Sequence, residues 1–417
     1  MISRAILSVL CLFTAAASAA PAVVDAGTLR GKMLMGYQGW FACPGDGSGL
    51  AGWHHWFRGT KPTVEMWPDT REFEADELFP TGLTLPDGGP AMLFSSNSEK
   101  TVLRHFKWMK EYGIDGILLQ RFIGEVQDPR FFKFRNQVTS HIIKGAQESG
   151  RVFALEYDMS AAEADKVVAD WKFLVDSLKV TESARYLRHK GKPVLCLWGL
   201  GFTDRKGTAK QAQELVDWLQ HGAPERYQVT VVGGVPTGWR DGTGDSRPGE
   251  DWAKHYRSLD VISPWTVGRF KDDAGADAHL RNFLVPDMAE AHKAGAEYLP
   301  VVFPGFAWKN LHDGPPNQIP RRGGRFYWRQ VFNATSAGAT MLKTAMFDEV
   351  DEGTAMFKTA PGKRFAPKEI QTLTLDADGE NLPADWYLRV SGESGRLLRK
   401  EIPLGPDLPI KAPAAAR

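Results

Sequence analysis

The chain has 417 residues, of which 43% are hydrophobic and 24% charged, and its formal net charge is +1. This is ordinary globular composition, and the length can bury the core of one large α/β domain or of two smaller ones. A charge so close to neutral gives no electrostatic support for binding to nucleic acid or to an anionic membrane surface.

The N-terminus has the pattern of a secretory signal peptide. Arg4 precedes an apolar stretch over residues 5–17, and Ala17, Ser18 and Ala19 supply the small residues of a cleavage site. We therefore predict that residues 1–19 are removed and that the mature protein is periplasmic or secreted. The apolar stretch is too short for a comfortable membrane span, so we expect no transmembrane segment.

Two cysteines, Cys43 and Cys196, remain after this cleavage. They could pair in one disulfide or stay as two separate thiols, because two cysteines in a large domain form no disulfide framework. No Cys/His spacing in the chain indicates a zinc site.

Apolar runs typical of buried parallel strands alternate with amphipathic segments typical of helices along the chain. The predicted strands cover residues 32–41, 116–122, 152–157, 193–200, 228–235, 259–265, 298–303 and 340–347. The predicted helices cover residues 99–112, 161–178, 208–221, 279–295 and 326–338. Eight such strands predict an α/β fold of the (β/α)8 TIM-barrel type.

A doubly wound open sheet is the alternative fold, but no glycine-rich nucleotide-binding pattern follows the first strand. The predicted barrel occupies residues 20–367 and has a long insertion, residues 42–97, after strand 1. Residues 368–417 form a short C-terminal extension that we expect to pack on the barrel, although they could be a small separate module.

Four carboxylates, Asp348, Glu349, Asp351 and Glu352, follow the eighth predicted strand. Carboxylates crowded at the end of a buried strand repel one another and lose water, which separates acid from base. A solvated acidic loop is the plainer interpretation, but the neighbouring residues on both sides are apolar. The spacing does not match a calcium-binding EF-hand loop.

Active sites of (β/α)8 barrels lie at the carboxyl ends of the strands, so polar and aromatic residues there are candidates for substrate binding. Aromatic residues at strand ends can equally be core packing, and Arg121 and Arg269 could simply pair with the acidic cluster. Glu156 and Asp158 are either a second acidic pair in the pocket or part of a structural salt bridge. The predicted substrate-binding residues are Tyr37, Trp40, His54, His55, Arg121, Asp158, Trp198, Trp239, Trp265, Trp308 and Asp351.

A metal-dependent hydrolase using His54, His55 and Asp158 is a further alternative. Adjacent histidines on an extended segment point to opposite sides and rarely bind one ion, so we predict no metal. We expect no cofactor.

Two short segments, Glu-Val-Asp-Glu-Gly-Thr at residues 349–354 and Met-Gly-Tyr-Gln-Gly-Trp at residues 35–40, resemble segments of the family 99 glycoside hydrolases, which include endo-α-mannanases and endomannosidases. Residues 349–354, Glu-Val-Asp-Glu-Gly-Thr, are similar to the Glu-Trp-His-Glu-Gly-Thr segment at the end of a barrel strand in that family. Residues 35–40, Met-Gly-Tyr-Gln-Gly-Trp, are similar to its Gly-Tyr-Tyr-x-Trp start. The chain thus resembles bacterial proteins grouped with glycoside hydrolase families 71 and 99.

This resemblance implies retaining hydrolysis of α-glycosides, with Glu349 as the base that assists the 2-hydroxyl and Glu352 as the general acid. The ordinary route, with a nucleophile and an acid/base, uses the same kind of carboxylate pair. Val350 and Asp351 depart from the family pattern, and a like charge at Asp351 could raise the pKa of Glu352. We therefore predict an exported glycoside hydrolase acting on an α-linked polysaccharide or oligosaccharide, mannan-like or other; the alternative is a non-catalytic glycan-binding barrel.

Overall fold

Eight parallel strands form the core of the molecule, described here from a computed structural model of residues 23–159 and 164–412. The predicted signal peptide, residues 1–19, lies outside the described residues. The strands are β1 (Met33–Tyr37), β2 (Gly116–Phe122), β3 (Val152–Asp158), β4 (Lys192–Trp198), β5 (Thr230–Val235), β6 (Val261–Pro264), β7 (Glu297–Tyr298 and Val301–Val302) and β8 (Leu342–Thr344).

The seventh strand closes the barrel. Its first half, Glu297–Tyr298, pairs with β6, and its second half, Val301–Val302, pairs with β8. Because β8 in turn pairs with β1, the ladder of hydrogen bonds runs round the whole ring. Strands covered on both faces need continuous apolar runs, which is the pattern that predicted them. The (β/α)8 barrel is therefore confirmed.

Helices surround the barrel, and four of those described begin with a side-chain cap, from Ser98, Asp128, Thr208 and Asp272. Asp128 caps the longest helix, with Pro129 at its first position, and Gly150 ends it at φ +73°. The predicted helix at residues 161–178 is described only from Ala164 onward. The described α-helices are Glu99–Glu111, Pro129–Ser149, Ala164–Asp176, Ala209–Asp217, Glu250–Arg257, Asp273–His279, Val285–Lys293, Lys309–His312, Arg325–Ser336 and Trp386–Leu398.

The insertion after β1 packs against the segment that follows β8. It contains an antiparallel hairpin, Leu78–Thr84 with Pro90–Phe94, and a short ribbon, Phe57–Arg58 with Lys61–Pro62. The backbone amides of Glu65 and Met66 both donate to the carbonyl of Val350, at 2.9 and 3.1 Å. The insertion therefore buttresses the acidic segment at one end of the barrel.

Residues 368–412 pack on the barrel through the helix Trp386–Leu398. The indole of Trp386 donates to the carbonyl of Gly323 at 2.9 Å, and the Tyr112 hydroxyl donates to Asp385 at 2.6 Å. The boundary at residue 367 stays a prediction. Within residues 23–159 and 164–412, no helix has the length and apolarity needed to cross a membrane.

The two cysteines do not pair in the structure. Cys43 lies in the insertion, where its thiol donates to the carbonyl of Phe94 at 3.1 Å, and Cys196 lies on β4. Both are buried thiols. Of the two alternatives left open by the sequence, the structure therefore has the unpaired one.

Candidate active site

A cleft of about 530 Å³ opens at the carboxyl ends of the strands, within the range of roughly 300–1,000 Å³ usual for ligand pockets. Seven predicted site residues line it: Trp40, Asp158, Trp198, Trp265, Trp308, Glu349 and Glu352. Its other lining residues are Gln38, Gln120, Phe122, Phe202, Asp204, Arg205, Val267, Gly268, Arg269, Phe306, Gln318 and Met346.

Backbone hydrogen bonds fix both ends of the segment that carries the four carboxylates. The amide of Phe347 donates to the carbonyl of Gly36 at 2.7 Å, and the amide of Phe357 donates to the carbonyl of Phe347 at 2.9 Å. A Cβ at position 36 would lie 2.2 Å from the Met346 sulfur, so a larger residue there would require the Met346 side chain to move. Arg321, which is buried, donates to the carbonyls of Gly353 and Ala355. The acidic loop, defined as residues 348–352, is thus fixed to the barrel at both ends.

Asp348 and Glu349 bind the end of the first strand in different ways. Asp348 accepts the backbone amides of Gln38 and Gly39 at 2.7 and 2.9 Å, so it fixes where that strand ends. Glu349 accepts the Thr354 hydroxyl at 2.7 Å on one carboxylate oxygen and the Gln38 side-chain amide on the other. Glu349 is therefore oriented by two donors at the edge of the cleft.

Asp351 and Glu352 point to different neighbours. Asp351 is buried and hydrogen-bonds His55 at 3.2 Å, behind the cleft wall. Glu352 keeps part of its side chain open to the cleft, and its backbone carbonyl accepts the amide of Ala307 at 3.0 Å. Of the four carboxylates of the acidic loop, two thus line the cleft and two hold its walls.

Burial sets the protonation of this loop. It raises the pKa of Asp348 and of Asp351 to about 7 each, because the charged form loses water. Burial, with the charge on Asp351 as a second cause, raises the pKa of Glu352 to about 8. Burial followed by the charges on Glu352 and Asp351 raises the pKa of Glu349 too, while hydrogen bonds from Thr354 and Gln38 act against that rise. The loop therefore retains protons near neutral pH.

Beneath the cleft lies a buried ion pair between Glu156 on β3 and Lys343 on β8. Gln120 donates its side-chain amide to the same carboxylate. Asp158, two residues further along β3, points the same way one layer higher and lines the cleft. The two acids predicted as a possible pair are thus divided: Glu156 belongs to the salt bridge and Asp158 to the pocket.

Aromatic rings form the walls of the cleft. Trp198 and Trp265 meet edge to face at 5.4 Å, and Trp40 stacks on Phe122 at 5.2 Å. Trp308 is 37% exposed at the rim. Flat apolar faces beside carboxylates and amides suit a ligand that has both apolar ring faces and hydroxyl edges.

Six predicted substrate-binding residues do not line the cleft: Tyr37, His54, His55, Arg121, Trp239 and Asp351. Tyr37 hydrogen-bonds His105 at 2.9 Å, and Arg121 forms a buried ion pair with Asp170. Successive residues of a strand point to opposite faces, so both side chains point outward to the helices, while their neighbours Gln38 and Gln120 point inward.

Trp239 lies beyond the end of β5, where its indole donates to Asp287 at 3.1 Å. Its ring is fully buried there. Arg269 pairs with Asp245, and Arg121 with Asp170, so neither arginine neutralises the acidic loop.

His54 and His55, which were predicted to bind substrate, lie behind the cleft wall. His55 stacks on Trp40 with ring centroids 3.7 Å apart, and His54 meets Phe131 edge to face at 5.1 Å. Among the described residues, no group of three or more His, Cys, Asp or Glu side chains is arranged to hold a metal ion. His54, His55 and Asp158 therefore do not come together as the metal alternative required.

Some of the cleft-lining residues that were not predicted could have been found from the sequence, and others could not. Gln38 and Gln120 stand next to predicted residues and follow from the two-residue period of a strand. Phe202, Asp204 and Arg205 come from the loop after β4, and Gln318 from the loop after β7, where no motif marks them.

No protein-family model and no curated protein sequence matches the chain. Among solved structures, the chain is similar to two structures of the family 99 endo-α-mannosidase from Bacteroides thetaiotaomicron, one of them in complex with BIS-TRIS-propane. Both have a TM-score of 0.63, with 16% and 15% identity, and the match covers 89% of this chain and 99% of theirs.

A structure described as a glycoside hydrolase-like protein is also similar, with a TM-score of 0.52 and 13% identity over 81% of this chain and 98% of that one. Identities this low show the fold alone. The chain therefore has the barrel fold found in these glycoside hydrolases.

Proposed function

We propose that this protein is an exported glycoside hydrolase that cleaves α-linked glycans. The observation that carries the proposal is the pair Glu349 and Glu352, set at the edge of an aromatic cleft at the carboxyl ends of the barrel strands. Two carboxylates in differing environments are what glycoside hydrolysis requires. The N-terminal pattern of the sequence supports export.

Glu352 is the general acid in this proposal. Its pKa of about 8 keeps a proton on the carboxyl at neutral pH, and its side chain reaches the cleft. It would give that proton to the oxygen of the departing sugar as the glycosidic bond breaks. The same residue, once deprotonated, would take a proton from the incoming water.

Glu349 is the partner carboxylate. Glu349 acts in its ionised form. Burial and the neighbouring acids raise its pKa, whereas the donors Thr354 and Gln38 favour the charged form and fix its orientation. As a base it would take the proton of the sugar 2-hydroxyl, which then attacks the anomeric carbon; as a nucleophile it would attack that carbon itself. Both routes retain the anomeric configuration and use the same two residues.

Asp351 supports the acid without reaching the cleft. Its charge is the second cause of the raised pKa of Glu352, after burial. Its hydrogen bond to His55, whose ring stacks on Trp40, links the acidic loop to one aromatic wall. We therefore assign Asp351 a positioning role.

The solved structures to which the chain is similar favour an α-mannose-containing substrate. They are described as endo-α-mannosidases, and the match covers nearly their whole length. α-Mannan is accordingly the first substrate to test, ahead of other α-linked polysaccharides.

Product analysis on a panel of α-mannan, α-glucan and xylan tests the proposal. We expect the wild-type protein to release oligosaccharides or monosaccharides from at least one α-linked glycan and none from the β-linked xylan backbone. Binding to a glycan without product would favour the alternative of a non-catalytic glycan-binding protein. Absence of both binding and product across the panel would contradict the proposal.

A further inference from the structure

A second cavity of about 480 Å³ lies beside the cleft, and we call it the side groove. Its walls come from the loop after β5, through Thr237, Thr243 and Asp245, and from the segment after β6, through Phe270, His279 and Phe283. Its volume is within the roughly 300–1,000 Å³ of ordinary ligand pockets. No role in the chemistry proposed above involves it.

One wall of the side groove is a row of three rings. Phe270 and His279 have ring centroids 5.0 Å apart, and His279 stacks on Phe283 at 5.3 Å with planes 19° apart. Phe270 is anchored in the core against Phe303 at 5.4 Å. Burial lowers the pKa of His279 to about 4, so this aromatic wall is uncharged at neutral pH.

The part of the lining that comes from the loop after β5 is polar. Thr237 and Thr243 contribute hydroxyl-bearing side chains and Asp245 a carboxylate, and Gly244 adds bare backbone with nothing within 4 Å of where a Cβ would lie. An apolar ring face together with hydroxyl, carboxylate and backbone groups is the environment that a sugar ring needs, because the ring has apolar faces and a hydroxyl edge.

Arg269 joins the side groove to the cleft. This residue lines both cavities, and its guanidinium pairs with Asp245 in the polar part of the groove lining. Both cavities also open on the same end of the barrel, beyond β5 and β6. A linear ligand that leaves the cleft past Arg269 therefore meets the side groove next.

We propose that the side groove binds distal sugar units of the same glycan chain whose scissile linkage lies at Glu349 and Glu352. This inference rests on the proposed function and deepens it. A glycan long enough to occupy both the cleft and the side groove binds more tightly than a short one. The sugars in the side groove add affinity and take no part in bond cleavage. The protein then binds long chains in preference to short ones.

Two substitutions, one among the aromatic residues and one among the polar residues of the side groove, test whether it binds sugar. Phe283→Ala removes the half-buried ring at one end of the aromatic wall. Gly244→Asn places a side chain in the open space of the polar lining, and asparagine tolerates the positive φ of 62° there better than most residues. Val285→Ala is the matched control, since Val285 is 49% exposed close to Phe283 in sequence and does not line the groove.

The experiment measures binding of an α-mannose disaccharide and an octasaccharide by calorimetry to the Glu352→Gln protein, with and without each groove substitution. We expect the octasaccharide to bind about tenfold more tightly than the disaccharide, and both groove variants to remove most of that advantage while disaccharide affinity is unchanged. The Val285→Ala control should keep the advantage.

Equal affinity for the two lengths, or an advantage that survives both groove variants, would overturn the side-groove proposal. Failure of the proposed function looks different, because the wild-type protein would then release no product from any glycan of the panel. A protein that cleaves α-mannan yet shows no dependence on the side groove retains the first proposal and loses the second. A protein that binds neither oligosaccharide also overturns the side-groove proposal.

Discussion

The barrel contains two kinds of buried carboxylate, Glu156 on β3 and those of the acidic loop, and they differ in whether a cation is paired with them. Glu156 forms an ion pair with the ammonium of Lys343 and accepts a hydrogen bond from the Gln120 side-chain amide. Among the described residues, no such cation pairs with the acidic loop: Glu349 accepts hydrogen bonds from neutral donors, and Asp351 hydrogen-bonds a histidine.

A buried carboxylate with a cationic partner keeps its charge and contributes to the structure, because the pair compensates for lost hydration. A buried carboxylate without one holds its proton more readily, and for Glu352 this is the property that acid catalysis needs. The comparison separates the residues that hold this barrel together from those that we propose act on substrate. Substitutions in the two groups should therefore have opposite consequences.

The largest expected effect is on turnover. Glu352→Gln and Glu349→Gln should each lower kcat on the cleaved glycan by about a thousandfold, within the range of roughly 10²–10⁴ that general acid–base catalysis contributes. Initial rates on that glycan measure it. The melting temperature of both variants should stay unchanged or rise, because a buried carboxyl that disfavours ionisation has been replaced by a neutral amide. Wild-type rates in both variants would contradict the assignment.

Breaking the ion pair should instead cost stability. Glu156→Gln leaves the Lys343 ammonium buried without a counter-charge, which we expect to lower the free energy of unfolding by about 3–5 kcal/mol. Urea unfolding measures the change. The double variant Glu156→Leu with Lys343→Met removes both charges and should recover most of the loss. If the single variant is as stable as wild type, the structural role of this pair is wrong.

Stability should fall as pH rises through the neutral range. The raised pKa values of Asp348, Asp351 and Glu352, about 7, 7 and 8, lie above the values near 4 of an unfolded chain. The folded protein therefore binds more protons than the unfolded one between about pH 5 and 8, and the free energy of unfolding decreases over that interval. Urea unfolding at a series of pH values should show this slope, and Asp351→Asn should make it shallower. A slope of opposite sign would contradict the raised pKa values.

The smallest expected effect concerns the hydrogen bond from Trp308, which lowers the pKa of Glu352. Trp308→Phe keeps an aromatic ring and removes the N–H, so the pKa of Glu352 should rise further and the alkaline limb of the pH–rate profile should move to higher pH. Trp239→Phe, outside the cleft, serves as the control and should leave that limb in place. A shift to lower pH in Trp308→Phe would exclude this role.

The barrel could be predicted from the sequence because parallel strands buried on both faces need unbroken apolar runs. The first strand was predicted to extend to residue 41, but it ends at Tyr37 because the next amides donate to Asp348 rather than to a neighbouring strand. The helices Pro129–Ser149 and Glu250–Arg257 were not predicted, although Asp128-Pro129 and Gly150 mark the ends of the first.

The site was predicted in part, for a reason that lies in strand geometry. Position at a strand end places a residue near the cleft, but the direction of its side chain depends on whether its number is odd or even along that strand. The sequence predicts Tyr37 and Arg121 as substrate-binding residues, but it is their neighbours Gln38 and Gln120 that line the cleft. Loop residues such as Phe202 and Arg205 depend on packing between distant segments, which no local pattern records.

The central claim is that burial, with no cationic partner among the described residues, keeps a proton on the acidic loop near neutral pH. Infrared difference spectra between the wild type and Glu352→Gln, recorded from about pH 5 to pH 9, test it directly by following the C=O band of a protonated carboxyl group. We predict that the difference band is present at pH 6 and lost near pH 8, with the raised pKa of Glu352. Absence of the band at pH 6 would show that Glu352 is already ionised and would contradict the account.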